Sequence, residues 1–183
     1  MKIIVDGDAC PGISIITKIA KEYELDLIIY CDIHHYITVD YGEVRVVDSG
    51  FQSVDMKVVN ECTSDDIIVS QDYGVAAICL GRKAAVISPK GYIYTNENIG
   101  AMLEQRHLSQ KIRRGGGKTP NAKKRTIEDD NRLQKNLLYL IKDKNIENKN
   151  ELIQQINKVL KELECERLEE VLKYVKRKKN QKK

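Results

Sequence analysis

The chain has 183 residues, and its 31 Lys and Arg against 27 Asp and Glu give a formal net charge of +4. This length allows one domain with a proper core and an appendage, but hardly two full domains. The five cysteines have no CxxC spacing, which argues against a zinc or disulfide framework and indicates reduced core residues. No charged leader precedes the first apolar run, and no run approaches bilayer-spanning length. We therefore expect a cytoplasmic protein without a membrane segment.

Short β-branched runs alternate with helical segments along the first half of the chain. Strands are predicted at 2–5, 26–31, 44–48, 67–70 and 84–87, and helices at 11–23, 53–62, 73–80 and 96–108. This alternation is typical of βαβ units, which build a parallel sheet with helices on both faces. The predicted fold class is an α/β, doubly wound parallel sheet with strand order 3-2-1-4-5.

The second half of the chain is basic and helical. Residues 1–110 carry 9 Lys and Arg against 16 Asp and Glu, a balance of −7, whereas residues 111–183 carry 22 against 11, a balance of +11. The segment 111–125 has seven basic residues, no acid and three consecutive glycines, so we predict a mobile loop. Helices are predicted at 127–142, 150–163 and 166–177, the last two as a hairpin with facing apolar sides. The predicted domains are an α/β domain over 1–145 and a helical hairpin with a basic tail over 146–183.

Aspartates follow three of the predicted strands. Asp6 and Asp8 come after the first strand, Asp72 comes after the fourth, and Asp55 lies in the first turn of the helix after the third. Because the carboxyl ends of parallel strands share one edge of the sheet, we expect these carboxylates to converge. Clustered carboxylate oxygens suit Mg²⁺ or Mn²⁺, and a cation makes the crowded charge tolerable. Each aspartate also has a local interpretation, as a helix cap, an acceptor for loop amides or a solvated acid at a helix start.

The basic segment supplies a second set of candidates, for binding phosphates. They are Arg113, Arg114, Lys118, Lys123, Lys124 and Arg125. The neighbouring glycines would let side chains and amides approach a phosphate backbone, although a solvated connector is the commoner use of such runs. A P-loop is rejected because position 112, where its first glycine should stand, is Ile, and no strand precedes it.

Other chemically capable side chains receive simpler interpretations. His34 and His35 are interpreted as surface residues of a loop and are kept out of the site. Tyr73, Tyr92 and Tyr94 are candidates for stacking on bases, with core packing expected for at least one of them. No Ser/His/Asp or Cys/His arrangement is apparent in the sequence, which disfavours covalent catalysis by such a nucleophile.

Four motifs stand out together. They are Val5–Pro11 (VDGDACP), Ser70–Ala76 (SQDYGVA), Ser88–Gly91 (SPKG) followed by Tyr94–Ile99 (YTNENI), and Arg113–Gly117 (RRGGG). In this order, and over about residues 1–127, they resemble the YaiI/YqxD family of uncharacterised bacterial proteins. That family looks like a branch of the PIN-like superfamily. The resemblance therefore implies a parallel sheet whose acidic cluster binds a divalent metal and cuts RNA.

The chain also departs from the family pattern. The family usually reads V-D-A-D-A-C-P, so Gly7 replaces an alanine, which we expect to be a mild change. Its V-D-x-G-x-D-A-A-D pattern aligns with Val47–Asp55, so Gln52 stands where a carboxylate is expected. If position 52 is a ligand, this chain binds its metal more weakly, or binds one ion where relatives bind two. The hairpin lies outside the pattern and resembles terminal hairpins of some bacterial regulators, which suggests self-association or partner docking through residues 149–178.

The predicted function is a Mg²⁺- or Mn²⁺-dependent nuclease of PIN type that acts on RNA. Asp6, Asp8 and Asp72 are the expected catalytic residues, and together with Asp55 they are the expected metal ligands. In that role they would position a metal-activated water on the phosphodiester. The basic residues listed above would hold the nucleic-acid backbone.

Two alternatives stay open. The first is a phosphatase of the haloacid dehalogenase type, because Asp6-Gly7-Asp8 matches its D-x-D pair, although Ala9-Cys10 stands where that class has Thr or Ser. The second is a non-catalytic RNA-binding or scaffold protein with a degenerate pocket, for which Gln52 provides some support.

Overall fold

The protein is an α/β fold built on one sheet. The computed structural model describes residues 1–8, 10–48, 53–118 and 124–180, without the side chains at 165, 166, 179 and 180. The described strands are β1 (Lys2–Asp6), β2 (Asp26–Asp32), β3 (Glu43–Val47), β4 (Ile67–Val69), β5 (Ala85–Ile87) and β6 (Ile93–Tyr94). Their order in the sheet is β3-β2-β1-β4-β5-β6, with the first five parallel and β6 antiparallel to β5. The predicted order is confirmed, and β6 extends it because two residues are too short to show a periodic pattern.

Helices cover both faces of the sheet, as in the doubly wound class. The described helices are α1 (Ile13–Glu22), α2 (Val54–Glu61), α3 (Tyr73–Gly81), α4 (Asn96–Arg114), α5 (Ile127–Lys161) and α6 (Cys165–Asn180). One face carries α2, α3 and α4, in the same core cluster as Ile4 and Ile68. The opposite face carries α1 and the first part of α5, clustered with Ile3 and Val5. Successive residues of β1 are therefore buried on opposite faces, which explains its unbroken apolar run.

Helix boundaries differ from the prediction at several places. α1 begins at Ile13, so Pro11 lies before the helix and not in its first turn. α4 continues to Arg114 and takes the first four positions of the predicted loop 111–125, of which 119–123 lie outside the described residues. α5 runs through the predicted break between 142 and 150. Residues 143–149 contain neither Gly nor Pro, so nothing there ends a helix.

The chain divides into two compact units, Met1–Lys144 and Asn145–Lys183. The second unit contains the end of α5 and the whole of α6. The predicted hairpin would bury one apolar side of each helix, formed among others by Leu152, Ile153, Ile156, Val159, Val171, Leu172 and Val175. These seven side chains are 39–56% exposed, and the hairpin stays a prediction. Self-association through residues 149–178 stays a prediction.

The loop 88–91 holds the start of α5 in place within the first unit. Arg132 Nε donates a hydrogen bond to the carbonyl oxygen of Lys90 at 2.9 Å, and Asn136 Nδ2 donates to that of Gly91 at 2.8 Å. Gly91 has a φ of +81°, and a Cβ at this position would overlap the backbone of Leu133. Only glycine combines this left-handed backbone with so close an approach. The loop of the SPKG motif thus forms the contact surface for α5, which begins more than thirty positions later.

Four of the five cysteines, Cys10, Cys31, Cys62 and Cys79, are buried and free, as the interpretation of them as reduced core residues predicts. The side chain of Cys165 lies outside the described part of the chain. In the described ranges, none of the helices combines the length and the hydropathy that crossing a bilayer would require. The cytoplasmic location stays a prediction.

Candidate metal centre

The carboxyl edge of the sheet gathers the four aspartates that the sequence singles out. β1 ends at Asp6, and Asp8 lies two residues further on. Asp72 lies between β4 and α3, and Asp55 lies in the first turn of α2. Burial raises the pKa of Asp6, and the nearby charges of the other three aspartates raise it further. Carboxylates from three separate strand-to-helix connections therefore lie close enough together to repel one another.

Ser70 fixes the most buried of these carboxylates. Asp6 is only 7% exposed, and Ser70 Oγ donates a hydrogen bond to Asp6 Oδ2 at 2.8 Å. The oxygen of the same hydroxyl accepts a hydrogen bond from the backbone N–H of Asp72 at 3.0 Å. The bond from Ser70 lowers the pKa of Asp6, but burial outweighs it. One hydroxyl thus connects the end of β1 to the start of α3 and sets the spacing of the two aspartates.

The pKa of Asp55 reflects the same repulsion between neighbouring carboxylates. Desolvation raises its pKa first, and the charges of Asp72 and Asp8 add to the effect. A divalent cation would offset this repulsion, since it favours the charged form of every carboxylate around it. Carboxylate oxygens are also the ligands that Mg²⁺ and Mn²⁺ take in proteins. The carboxylate chemistry of this edge therefore suits the predicted ion, although among the described residues the three ligand atoms that lie within 4.8 Å of one another belong to Asp8, Asp32 and His35 and not to three of the four aspartates.

Asp72 caps a helix and forms an ion pair at the same time. Its Oδ1 accepts hydrogen bonds from the backbone N–H groups of Gly74 at 2.6 Å and Val75 at 3.3 Å, as the cap interpretation predicts. Its Oδ2 accepts from Arg106 of α4 at 2.7 Å. Burial would raise the pKa of Asp72, but the bonds from Arg106 and from the two amides lower it overall. Asp72 is therefore ionised and held in place on both of its oxygens.

Replacing Arg106 with Gln is expected to raise the pKa of Asp72. The substitution removes the positive charge that favours the carboxylate, while the amide hydrogen bonds remain. The pKa of Asp55 should rise as well, because the charge of Arg106 also lowers it. Carboxyl carbon chemical shifts, followed by NMR through a pH titration, measure both values. Arg114→Gln, an exposed change on the same helix, is the control and should leave them unchanged. An unchanged Asp72 pKa in the Arg106 variant would contradict the assigned ion pair.

A second ligand group adjoins the cluster at Asp8. Asp8, Asp32 and His35 bring one ligand atom each within 4.8 Å of one another. His35 Nδ1 lies 2.8 Å from Asp32 Oδ1 and 3.3 Å from Asp8 Oδ1, and the N–H of Asp32 donates to Asp8 Oδ1 at 2.8 Å. The hydrogen bond to Asp32 raises the pKa of His35 and lowers that of Asp32. His35 is exposed, as expected of a surface loop, but its ring contacts Asp8 and so adjoins the aspartates from which the sequence analysis separates it.

Two residues of this edge escape the sequence reasoning. Asp32 is the last residue of β2, so the strand-end rule that finds Asp6 would also have found it. Arg106 carries no such signal, since it lies in the middle of a helix, 34 positions from Asp72. Only the packing of α4 against α3 brings it to the edge.

Glycine at position 7 is required by its surroundings. A Cβ there would lie 2.8 Å from Ile29 Cγ2, from Ile37 Cδ1 and from the carbonyl oxygen of Tyr30. That oxygen also accepts a hydrogen bond from the Gly7 N–H at 2.7 Å, so the backbone is close-packed on β2. An alanine here would displace the loop between Asp6 and Asp8. The expectation that the difference between this glycine and the family's alanine is mild is therefore wrong for this chain.

The predicted phosphate-binding residues fall into two groups. Arg113, Arg114, Lys118 and Lys124 are exposed, and Lys123 lies outside the described residues. Arg125 has a side chain that is 17% exposed, with Nη1 donating to the carbonyl oxygen of Pro89 at 2.6 Å and Nε to Asp130 at 2.5 Å. These contacts give Arg125 a structural role at the start of α5.

The fold and the site together define a class: this is an α/β protein with an acidic cluster at the carboxyl edge of its sheet. The family described as "Uncharacterized BCR, YaiI/YqxD family" matches residues 4–143. The chain belongs to this family, which confirms the resemblance found in its motifs. The match ends one residue before the first compact unit does, so the whole of the second unit's sequence falls outside it.

Similar proteins agree with this assignment. A UPF0178 protein of Clostridium novyi is 64% identical over 141 residues, which is 77% of this chain and 95% of that protein. A UPF0178 protein of Clostridium perfringens is 56% identical over 149 residues, 81% of this chain and 100% of that protein. The crystal structure of a mutant of Rae1 (YacP) from Bacillus subtilis is 14% identical and covers 63% of this chain and 84% of its own, with a TM-score of 0.38. A TM-score at this level does not establish a shared fold.

Proposed function

We propose that this protein is a divalent-metal-dependent nuclease of PIN-like type that acts on RNA phosphodiesters. The observation that supports it is the cluster of four aspartates, where burial and mutual repulsion raise the pKa of Asp6 and Asp55. Carboxylates with perturbed pKa values, gathered at the ligand-binding edge of a parallel sheet, are typical of functional sites. The basic charge of residues 111–183 favours a polyanionic substrate.

The residues of the cluster have distinct roles in this proposal. The metal ligands would be Asp6, Asp8, Asp55 and Asp72, directly or through water. A bound Mg²⁺ or Mn²⁺ supplies a water of lowered pKa and neutralises charge on the leaving oxygen. Ser70 and the amides of Gly74 and Val75 hold two of the carboxylates in fixed positions, so little reorganisation is needed during the reaction. The exposed basic side chains at the end of α4 and beyond it, Arg113, Arg114, Lys118 and Lys124, would bind backbone phosphates.

The alternatives have less support. A haloacid dehalogenase phosphatase would need Asp6 as its nucleophile, and that class has Thr or Ser after the second aspartate, where this chain has Ala9-Cys10. A non-catalytic RNA-binding protein would leave the crowded carboxylates without a function. Metal titration separates that alternative from the nuclease, since the non-catalytic alternative predicts no binding of Mn²⁺ or Mg²⁺ at millimolar concentration.

Cleavage of a single-stranded RNA tests the proposal. The wild-type protein should cut the RNA in Mn²⁺ or Mg²⁺ and stop when EDTA is added. Asp6→Asn should lose about 100-fold or more of the rate, because it removes a charge that would hold the ion and orient the water. The same variant should still bind RNA, since the basic side chains are untouched.

Asp65→Asn is the matched control for the charge change. Asp65 is exposed in the turn that precedes β4, at the opposite edge of the sheet, so this variant should keep full activity. Calorimetry should show Mn²⁺ binding to the wild type and to Asp65→Asn but not to Asp6→Asn. Equal cleavage by the Asp6 variant, or a wild type that binds no metal at millimolar concentration, would refute the nuclease assignment.

A further inference from the structure

A cavity of about 320 Å³ lies beside the acidic cluster at the carboxyl edge. Its lining includes three tyrosines, Tyr73, Tyr92 and Tyr94, together with Gln71, Pro89 and Met102. A volume near the lower end of the range of about 300–1,000 Å³ for small-molecule sites suits one flat ring system better than an extended ligand. The cavity therefore has the size and the aromatic lining that a single planar group requires.

The cavity is adjacent to a proposed metal ligand. Gln71 and Tyr73, which both line it, are the two chain neighbours of Asp72. Burial raises the pKa of Tyr94, and the charges of Tyr73 and Asp72 add to that effect, as expected of a hydroxyl that lies near Asp72. A group seated in the cavity would thus lie next to the carboxylates that are proposed to act on the phosphodiester.

The tyrosines are held in fixed orientations. The rings of Tyr73 and Tyr94 meet edge to face, with centroids 5.8 Å apart. The guanidinium of Arg132 lies 4.0 Å from the centroid of the Tyr92 ring, and the Tyr92 side chain is still 50% exposed. A half-exposed aromatic ring that lines a cavity and has a guanidinium over its ring is a suitable stacking platform. Bases of single-stranded RNA are recognised in this way, by stacking on aromatic side chains.

We propose that this cavity binds one nucleobase of a single-stranded RNA, with Tyr92 as the stacking residue. The inference rests on the proposed function, because it supposes that an RNA strand reaches the acidic cluster. It adds that the substrate must be unpaired near the scissile phosphate, since a base inside a duplex is not free to enter the cavity. Tyr73, which contacts Arg106 across its ring face and Tyr94 at its edge, would form the inner wall.

Binding of two labelled pentamers in EDTA tests this without any cleavage. One is an RNA pentamer, and the other has the same phosphates but an abasic tetrahydrofuran spacer at every position. The wild type should bind the RNA about tenfold or more tighter than the abasic strand, which is the scale of one stacked base. Tyr92→Ala and Tyr92→Leu should lose most of that preference, and Tyr92→Phe should keep it, since the ring stacks without its hydroxyl.

The control and the second variant keep the test decisive. Tyr139→Ala removes a tyrosine of similar exposure from α5 and should bind both strands like the wild type. Circular dichroism establishes that each variant is folded, and Tyr92→Leu retains apolar volume that Tyr92→Ala removes. Equal affinity of the wild type for both strands, or an undiminished preference in folded Tyr92→Leu, overturns the inference. The binding measurement needs no metal. A preference for the RNA strand without any cleavage would therefore uphold the base-binding role of the cavity and refute only the nuclease assignment.

Discussion

Replacing Asp72 with Asn is expected to abolish metal-dependent cleavage while the fold stays intact. Asn is as good a helix N-cap as Asp, so the amides of Gly74 and Val75 keep an acceptor. The partly exposed ion pair with Arg106 is lost, which costs at most about 1 kcal/mol of the free energy of unfolding. The negative charge that would hold the ion disappears. Affinity for Mn²⁺ should therefore fall by about 100-fold or more.

Three measurements separate the two roles of Asp72. Calorimetry gives the Mn²⁺ affinity, single-turnover cleavage gives the rate, and urea unfolding gives the stability. Asp65→Asn again serves as the control and should match the wild type in all three. If Asp72 were only a helix cap, the Asn variant would keep both its metal affinity and its rate. A variant that keeps its stability but loses both would show that the carboxylate serves the ion.

The convergence of the aspartates could be predicted from sequence because topology alone brings it about. Asp6 and Asp72 follow strands that are neighbours in the sheet, and parallel strands end at the same edge. The same rule covers Asp32 at the end of β2, yet the histidines that follow it suggest a plain surface loop. The chemistry of His35 becomes visible only when the loop is seen to turn back towards Asp8.

The remaining features depend on contacts between distant segments. Arg106 reaches Asp72 across 34 positions, and Arg132 reaches the carbonyl of Lys90 across 42. Neither arginine lies in a local pattern that distinguishes it from an ordinary charge on a helix. The length of α5 is hard to predict for a related reason. The apolar spacing changes near residue 143, which suggests a boundary, but no breaker residue stands there to end the helix. Sequence periodicity thus locates the faces of elements better than their ends or their partners.

Replacing Gly91 with Ala is expected to destabilise the first unit by about 3 kcal/mol or more, the sum of a left-handed backbone and an overpacked contact. Gly91 has a φ of +81°, and a Cβ there would lie 2.5 Å from the carbonyl carbon of Arg132 and against the backbone of Leu133. Backbone atoms of a helix cannot rotate away, so α5 itself would have to shift.

Gly100→Ala is the matched control, because the added Cβ meets no heavy atom within 4 Å inside α4. That variant should be more stable than the wild type by about 0.5–1 kcal/mol, the usual gain of Ala over Gly in a helix. Urea unfolding of both variants measures the two changes. Leu133, Leu137 and Ile141 are fully buried on the sheet, so any shift of α5 exposes the core on that face. A Gly91 variant as stable as the wild type would mean that α5 does not sit on this loop.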